Sequence, residues 1–286
     1  MLDVHNHLLP GLDDGSRDMA ETLTMCRVAA QDGIRTIVAT PHSGEDPQPG
    51  APDRILAAVA RVNRRLAEKG IPLEVLPGME IRIGHEIPEH LANGRILALN
   101  RARYLLVEFH ATQVPAGFDN LVRRLKNAGH GVILGHAEKN LAIQDNPDYV
   151  FKILRAFKDQ ELLIQITADS LTGAAGAEAL RTARLLMKNG LAHLIASDAH
   201  APFLRAPRLS EAVVVAASLV GPQIARQMVW DIPYSVVYGS AFPDMWQGRS
   251  TRRWWHVFKR AVRHAAPPRI DALMRSQEGG EQGAEK

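Results

Sequence analysis

Leu2-Asp3-Val4-His5-Asn6-His7 stands at the start of the chain, and Asp13-Asp14-Gly15 follows almost at once. In a strand, residues two apart point to one face, so His5 and His7 present two imidazoles side by side, as a metal site requires. A lone His-x-His pair also fits an exposed strand face. Repetition separates the two readings. His42 closes the run Ile37-Val38-Ala39-Thr40-Pro41, Glu80 follows Val75-Leu76-Pro77-Gly78-Met79, and Glu108 ends Tyr104-Leu105-Leu106-Val107. His136 ends Val132-Ile133-Leu134-Gly135, and Asp198 and His200 follow His193-Leu194-Ile195-Ala196-Ser197. Six apolar runs thus end in residue types that bind metal.

Strand-like runs recur at 2–5, 35–40, 73–78, 103–107, 131–135, 162–166 and 193–196. Several are almost continuously apolar, which marks strands buried on both faces in a parallel sheet. Helical stripes lie between them: Ile55, Val59, Val62 and Leu66; Phe118, Leu121, Val122 and Leu125; Leu180, Ala183 and Met187. Asp18-Met19-Ala20-Glu21 resembles a capping box, and Gly33, Gly70, Gly129 and Gly190 fall just past helix ends. Seven β-then-α units follow, favouring a closed parallel α/β barrel over an open doubly wound sheet, although periodicity alone leaves closure open. The acids and histidines sit where strands give way to βα loops, the functional end of such barrels.

With 286 residues and 46% hydrophobic content, one barrel-sized domain is expected. The start of the chain lacks the pattern of a secretory leader, and no apolar stretch approaches the roughly eighteen residues of a membrane span, so a cytoplasmic protein is expected. The single cysteine, Cys26, excludes an internal disulfide framework and a thiolate zinc cluster. Metal sites must therefore use His and carboxylate. Position 32, where a Cys-x5-Arg phosphatase loop needs arginine, holds Asp32, and Cys26 falls in an amphipathic helix pattern, so a core role is expected for it. No P-loop or Gly-x-Gly-x-x-Gly turn appears, and no nucleic acid partner is expected.

The ordered set His5-Asn6-His7, Asp13-Asp14-Gly15, Thr40-Pro41-His42, Gly78-Met79-Glu80, Glu108-Phe109, Gly135-His136-Ala137-Glu138 and Ala196-Ser197-Asp198-Ala199-His200 resembles the PHP (polymerase and histidinol phosphatase) superfamily. Within it, the set is most similar to the bacterial manganese-dependent protein-tyrosine phosphatases of capsular and exopolysaccharide operons. The resemblance spans residues 1–243 and implies there a distorted (β/α)7 TIM-like barrel and three divalent metal ions, Mn first, with Fe, Zn or Mg also suited to such ligands. It implies that His5, His7 and Asp198 bind the first ion, with Glu80 bridging to a second that Glu108 and His136 complete. Asp14, His42 and His200 bind the third. A hydroxide bridging two ions would attack phosphorus, and Arg205 would hold phosphate oxygens through its planar fork. The family usually reads His-x-Glu-Arg-Tyr where this chain has His136-Ala137-Glu138-Lys139-Asn140, so Lys139 keeps the charge and loses the fork.

The expected substrate is a phosphotyrosine protein, such as a bacterial tyrosine autokinase controlling polysaccharide export. A phenolate of pKa about 10 is an easy leaving group for a metal-assisted route. Small phosphate monoesters, such as histidinol phosphate or a sugar phosphate, and a non-catalytic scaffold remain as alternatives. Beyond 243, eight Lys or Arg against one Asp give residues 249–275 a charge of +7, leaving −4 on the rest. Trp254, Val257, Phe258, Ala261 and Val262 form one stripe there, so 244–275 reads as a basic amphipathic extension. It would pack on the barrel, or make peripheral contact with an anionic membrane face or an acidic partner. Residues 276–286 read as a disordered tail.

Overall fold

The computed structural model describes residues 1–44, 46–84, 86–155, 157 and 161–243, so the basic extension and the tail read from the sequence lie outside the described residues. Its strands are β1 (Leu2–Asn6), β2 (Thr36–Ala39), β3 (Glu74–Pro77), β4 (Glu80–Arg82), β5 (Tyr104–Glu108), β6 (Gly131–Leu134), β7 (Leu162–Thr167) and β8 (Leu194–Ala196). All ladders are parallel, in the orders β1-β2-β3 and β4-β5-β6-β7-β8. β3 and β4 are two halves of one bent path, since the chain turns at Gly78-Met79 and passes its pairing from β2 to β5. The sequence pattern reads only the first half as strand.

A parallel bridge between Asn6 and Ala199 joins β1 to the segment after β8. The Asp198 N–H donates to the His5 carbonyl and the His7 N–H to the Ala199 carbonyl, both at 2.9 Å. With β3 and β4 counted as one stave, seven staves close into the distorted barrel that the sequence pattern implies. Helices fill the crossovers, among them Met19–Gln31, Ala51–Glu68, Phe118–Asn127 and Ala177–Lys188. Asp18 caps the first, accepting from the Glu21 N–H at 2.9 Å.

Strand alternation sorts the core into two layers. Val4, Val38, Leu106, Ile133 and Leu163 fill the barrel interior, whereas Ile37, Leu105, Val132, Leu134 and Ile164 face the helices. The stripes Ile55, Val59, Val62, Leu66 and Phe118, Leu121, Val122, Leu125 are buried as expected. The third is rotated: Ala179, Ala183, Leu186 and Met187 are buried and Leu180 sits at the edge. Cys26 is a free, fully buried core residue whose thiol is pushed by burial up to about 12. Helix Asp231–Tyr238 sends Ile232, Val236 and Val237 into the interior cluster with Leu2, Tyr104 and Leu194, the first residues of their strands, and so stops the N-terminal end. No helix among the described residues is long and apolar enough to cross a membrane.

The bend at Gly78 is sterically demanding. A Cβ there would stand 2.8 Å from Val38 Cγ1 and 2.9 Å from Leu99 Cδ2, whereas Gly84 has open space. Gly78→Ala is therefore expected to lower stability by about 1–3 kcal/mol, the usual cost of overpacking a core. Gly84→Ala should leave the urea midpoint in place; equal midpoints for both variants would show that the bend tolerates a methyl group.

Candidate metal centre and substrate cleft

Alternation alone delivers most of the site. Interior-facing Val38, Leu76, Leu106 and Ala196 are followed at steps of two by Thr40 and His42, by Gly78 and Glu80, by Glu108, and by Asp198 and His200. β1 needs an irregularity, because Leu2 and Val4 face inward and His5 would otherwise point out. Its pairing slips between Asp3, opposite Ile37, and Asn6, opposite Ala39, and the extra residue turns His5 and His7 inward. β6 uses a different device: Ile133 and Gly135 face in, and His136 reaches the mouth from a left-handed backbone of φ 31°. Asp198 and Arg205 are also left-handed, at φ 51° and 52°. Three of the five non-glycine residues of positive φ among the described residues thus lie at one mouth, as expected where surrounding structure holds functional groups in place.

Glu80 is the hub. Its Oε1 lies 2.8 Å from His136 Nε2 and 3.3 Å from His5 Nε2, and its Oε2 lies 2.9 Å from His42 Nδ1 and 3.4 Å from His7 Nε2. Asp198 Oδ1 is 3.5 Å from the Nε2 atoms of both His5 and His7. Glu108 Oε1 is 3.4 Å from His42 Nδ1, and Asp14 Oδ1 is 3.4 Å from His42 Nε2 and 3.5 Å from His200 Nε2. All nine ligand candidates read from the sequence therefore meet at one mouth. Three overlapping sets have donor atoms close enough to share an ion: His5, His7 and Glu80; His42, Glu80 and Glu108; and His7, Asp14, His42 and His200. Relative to the grouping implied by resemblance, His7 and His42 each serve two sets, while His136 and Asp198 stand beside them.

Hydrogen bonding shows that these residues suit cations. His7 Nδ1 faces Asp13 Oδ2 at 2.7 Å, His5 Nδ1 faces Gln165 Oε1 at 3.0 Å, and His200 Nδ1 faces the Asp198 carbonyl at 3.0 Å. Each of those oxygens can only accept, so Nδ1 is the nitrogen that keeps its proton and Nε2 the one that can offer a lone pair to an ion that displaces its proton. His5 Nε2 and His7 Nε2 lie 3.2 Å apart. His42 Nδ1, Glu80 Oε2 and His200 Nε2 are buried without a hydrogen bond of acceptable geometry, despite the close approach of the first two. Divalent cations fit such converging nitrogen and oxygen lone pairs, and the donor set includes no thiolate.

For several of these residues burial disfavours the charge, yet mutual pairing outweighs it. His42 loses by burial and gains more from Glu108 and Glu80, which push it up to about 10. His7 and His136 are likewise raised against burial, by Asp13 and by Glu80 respectively. Glu80 and Asp198, though buried, are held well below the carboxylate range, with His5 the chief opposing charge for both. His200 goes the other way, down to about 4, through burial and the nearby His7.

Above the hub opens a cleft of about 560 Å³, lined by His42, Glu108, His136, Asp198 and His200 and by three cations, Arg82, Lys139 and Arg205. Lys139 Nζ and Arg205 Nη2 both donate to Asp198 Oδ2, at 2.8 and 2.9 Å. Arg82 Nη2 lies 2.9 Å from Glu108 Oε1.

The family described as capsular polysaccharide synthesis, CpsB/CapC, matches residues 1–238. The chain belongs to the CpsB/CapC family. Tyrosine-protein phosphatase YwqE of Bacillus subtilis is 36% identical over 224 residues, 78% of this chain and 87% of its own length. Tyrosine-protein phosphatase CpsB of Streptococcus pneumoniae is 26% identical over 246 residues, 83% of this chain and 98% of its own. A crystal structure from work on these two proteins, described as unique metal-dependent tyrosine phosphatases, superposes with a TM-score of 0.80 at 33% identity, covering 85% of this chain and 96% of the other. Histidinol phosphate phosphatase of Lactococcus lactis shares the fold, with a TM-score of 0.52 at 14% identity over 77% of this chain and 93% of its own.

Three residues of this CpsB/CapC site escaped the sequence reading. Arg82 was legible, since it stands two residues beyond Glu80 on the same strand and so on the same face. Asp13, beside the selected Asp14, carried a weaker signal, and Gln165 carried none beyond its place in the β7 run. Asp13→Asn is expected to weaken divalent metal binding about 10- to 100-fold by freeing the His7 ring. Because His7, His42 and His136 are raised and must lose protons to ligate, binding should release protons and tighten as pH rises. Titration calorimetry in two buffers of different ionisation enthalpy measures both; metal affinity in Asp13→Asn equal to that of the parent would remove Asp13 from the support of the site.

Proposed function

We propose that this protein is a metal-dependent protein-tyrosine phosphatase of capsular or exopolysaccharide synthesis. One observation carries the reading: five histidines and four carboxylates converge beneath a cleft lined by three cations, in a chain whose relatives are phosphatases of that type. The ligand assignment we infer gives one ion His5, His7 and Asp198, a second Glu108 and His136 with Glu80 between them, and a third Asp14, His42 and His200. Bound divalent ions, Mn foremost, supply an activated water and neutralise charge on the phosphoryl group.

The chain's own side chains bind and orient. Arg205 and Lys139 each spend one polar group on Asp198 and line the cleft, which leaves further donors for phosphate oxygens. Asp13 and Gln165 fix the rings of His7 and His5. The phenolate of a tyrosine needs little protonation to leave, which favours aryl over alkyl phosphates. In the finer reading, the substrate is a tyrosine autokinase in the cytoplasm, met at the inner face of the membrane with the help of the basic stretch 244–275. Co-sedimentation with anionic liposomes should separate the full chain from a chain ending at 243; equal behaviour would sink the membrane contact.

Chelation is expected to abolish turnover and divalent metal to restore it, with phosphotyrosine peptides hydrolysed faster than sugar phosphates or histidinol phosphate. A preference for either small monoester would overturn the assignment. His136→Ala should abolish turnover with the circular dichroism spectrum intact. Arg205→Ala should lower kcat/KM by about 100-fold or more, the scale of losing one preorganised donor to developing charge. Lys139→Arg should retain activity, whereas Lys139→Ala should not; equal rates for the two would leave Lys139 without a role in substrate grip.

A further inference from the structure

Phe203 and Leu204 are 78% and 82% exposed, the highest values among the large apolar side chains described. They occupy the tip of the loop after β8, directly before Arg205. That loop is tied at its base. The His200 N–H donates to the Arg205 carbonyl at 3.0 Å, and Arg205 Nη2 donates to the Asp198 carbonyl at 3.2 Å as well as to its carboxylate. An apolar tip is therefore held beside a cation that lines the cleft, and its exposure to water is unfavourable without a partner. On another side of the mouth, separated in strand order by β6 and β7 one way and by β1 and β2 the other, lies an apolar pocket of about 150 Å³. Ile83, Pro115, Phe118 and Leu121 line it. Ile83 and His110, both in its wall, directly follow Arg82 and Phe109 in the wall of the main cleft.

We propose that Phe203-Leu204 and this pocket receive apolar side chains on the two flanks of a phosphotyrosine in an extended segment of the substrate protein. The inference rests on the phosphatase reading above and adds the sequence context of its substrate. The cationic cleft between them matches the charge of the phosphate, and the flanks match side chains that a free monoester does not possess. Selectivity for a phosphoprotein over a small phosphate ester then comes from the rim, and chemistry from the floor.

Steady-state kinetics of the metal-loaded full chain test this with three probes: a phosphotyrosine peptide with leucines at the flanking positions, the same peptide with serines there, and phenyl phosphate. The parent is expected to show a lower KM for the leucine peptide than for the serine peptide. Phe203→Ala combined with Leu204→Ala should raise KM for the leucine peptide about tenfold, roughly 1.4 kcal/mol, with kcat held. The ratio of its kcat/KM to that for phenyl phosphate should fall with it. Phe203→Leu in the single variant should keep most of the preference, as apolar contact requires. A parent indifferent to the flanks, or a double variant whose KM shifts in parallel for all three probes, overturns the rim proposal while leaving the phosphatase reading standing. A parent that hydrolyses none of the three overturns both.

Discussion

The site depends on one buried carboxylate. Glu80 is fully buried, and its two oxygens lie within 3.4 Å of nitrogens from four histidines on three different staves. A lone ionised carboxylate in such a place would be prohibitively costly, and only dense pairing with opposite charge makes it tolerable. His5 and its neighbours provide that pairing and hold Glu80 well below its usual range. The barrel is shaped to allow it. The third stave bends at Gly78, where a side chain would strike Val38 and Leu99 and glycine fits, and the bend hands the chain from β2 to β5 with Glu80 just past it. Glu80 also keeps a foothold on the first sheet, since its N–H donates to the Pro41 carbonyl and its own carbonyl accepts from the Ser43 N–H.

That geometry explains what could be read in advance. An apolar strand that ends in His, Glu or Asp declares both its burial and the end at which its polar residue emerges, so the barrel and eight of its nine candidate ligands were legible in the strand runs, whereas Asp14, on no strand, came only with the family resemblance. The inward turn of His5 was not, because it depends on a slip of pairing against β2 that no local pattern records. His136 was found as a strand end, but its left-handed backbone is set by tertiary surroundings. The second half of the third stave, Glu80–Arg82, was missed as strand because Pro77-Gly78 interrupts the run, and Arg82 was missed with it. Gln165 shows the remaining limit. A neutral amide in an apolar run looks like an accident until its oxygen is seen against His5 Nδ1 and the His136 N–H, at 3.0 and 3.1 Å.

Charge is layered from floor to rim. Glu80 and Asp198 at the floor are ionised and paired with the raised imidazoles of His7, His42 and His136, so without further cations the floor offers a phosphate dianion little net attraction. Arg82, Lys139 and Arg205 stand at the wall of the cleft, each committed in part to a carboxylate, Glu108 or Asp198. Divalent ions held there by these side chains would make the floor positive. The imidazoles would give up protons to such ions.

Asp198 links the two layers. Its Oδ1 faces His5, His7 and His200, while its Oδ2 carries Lys139 and Arg205. One carboxylate thus orients both the floor and the cations that would grip phosphate. Lys139 fits this arrangement as a point charge. A guanidinium in its place could hold Asp198 and a phosphate oxygen in one plane, whereas an ammonium must divide its three protons between them without a fixed angle. The position therefore trades directional grip for tolerance of how the phosphate is presented. A site that draws its selectivity from apolar contacts at the rim can accept that trade, because the approach of the substrate is then set by its flanking side chains and not by the phosphate alone.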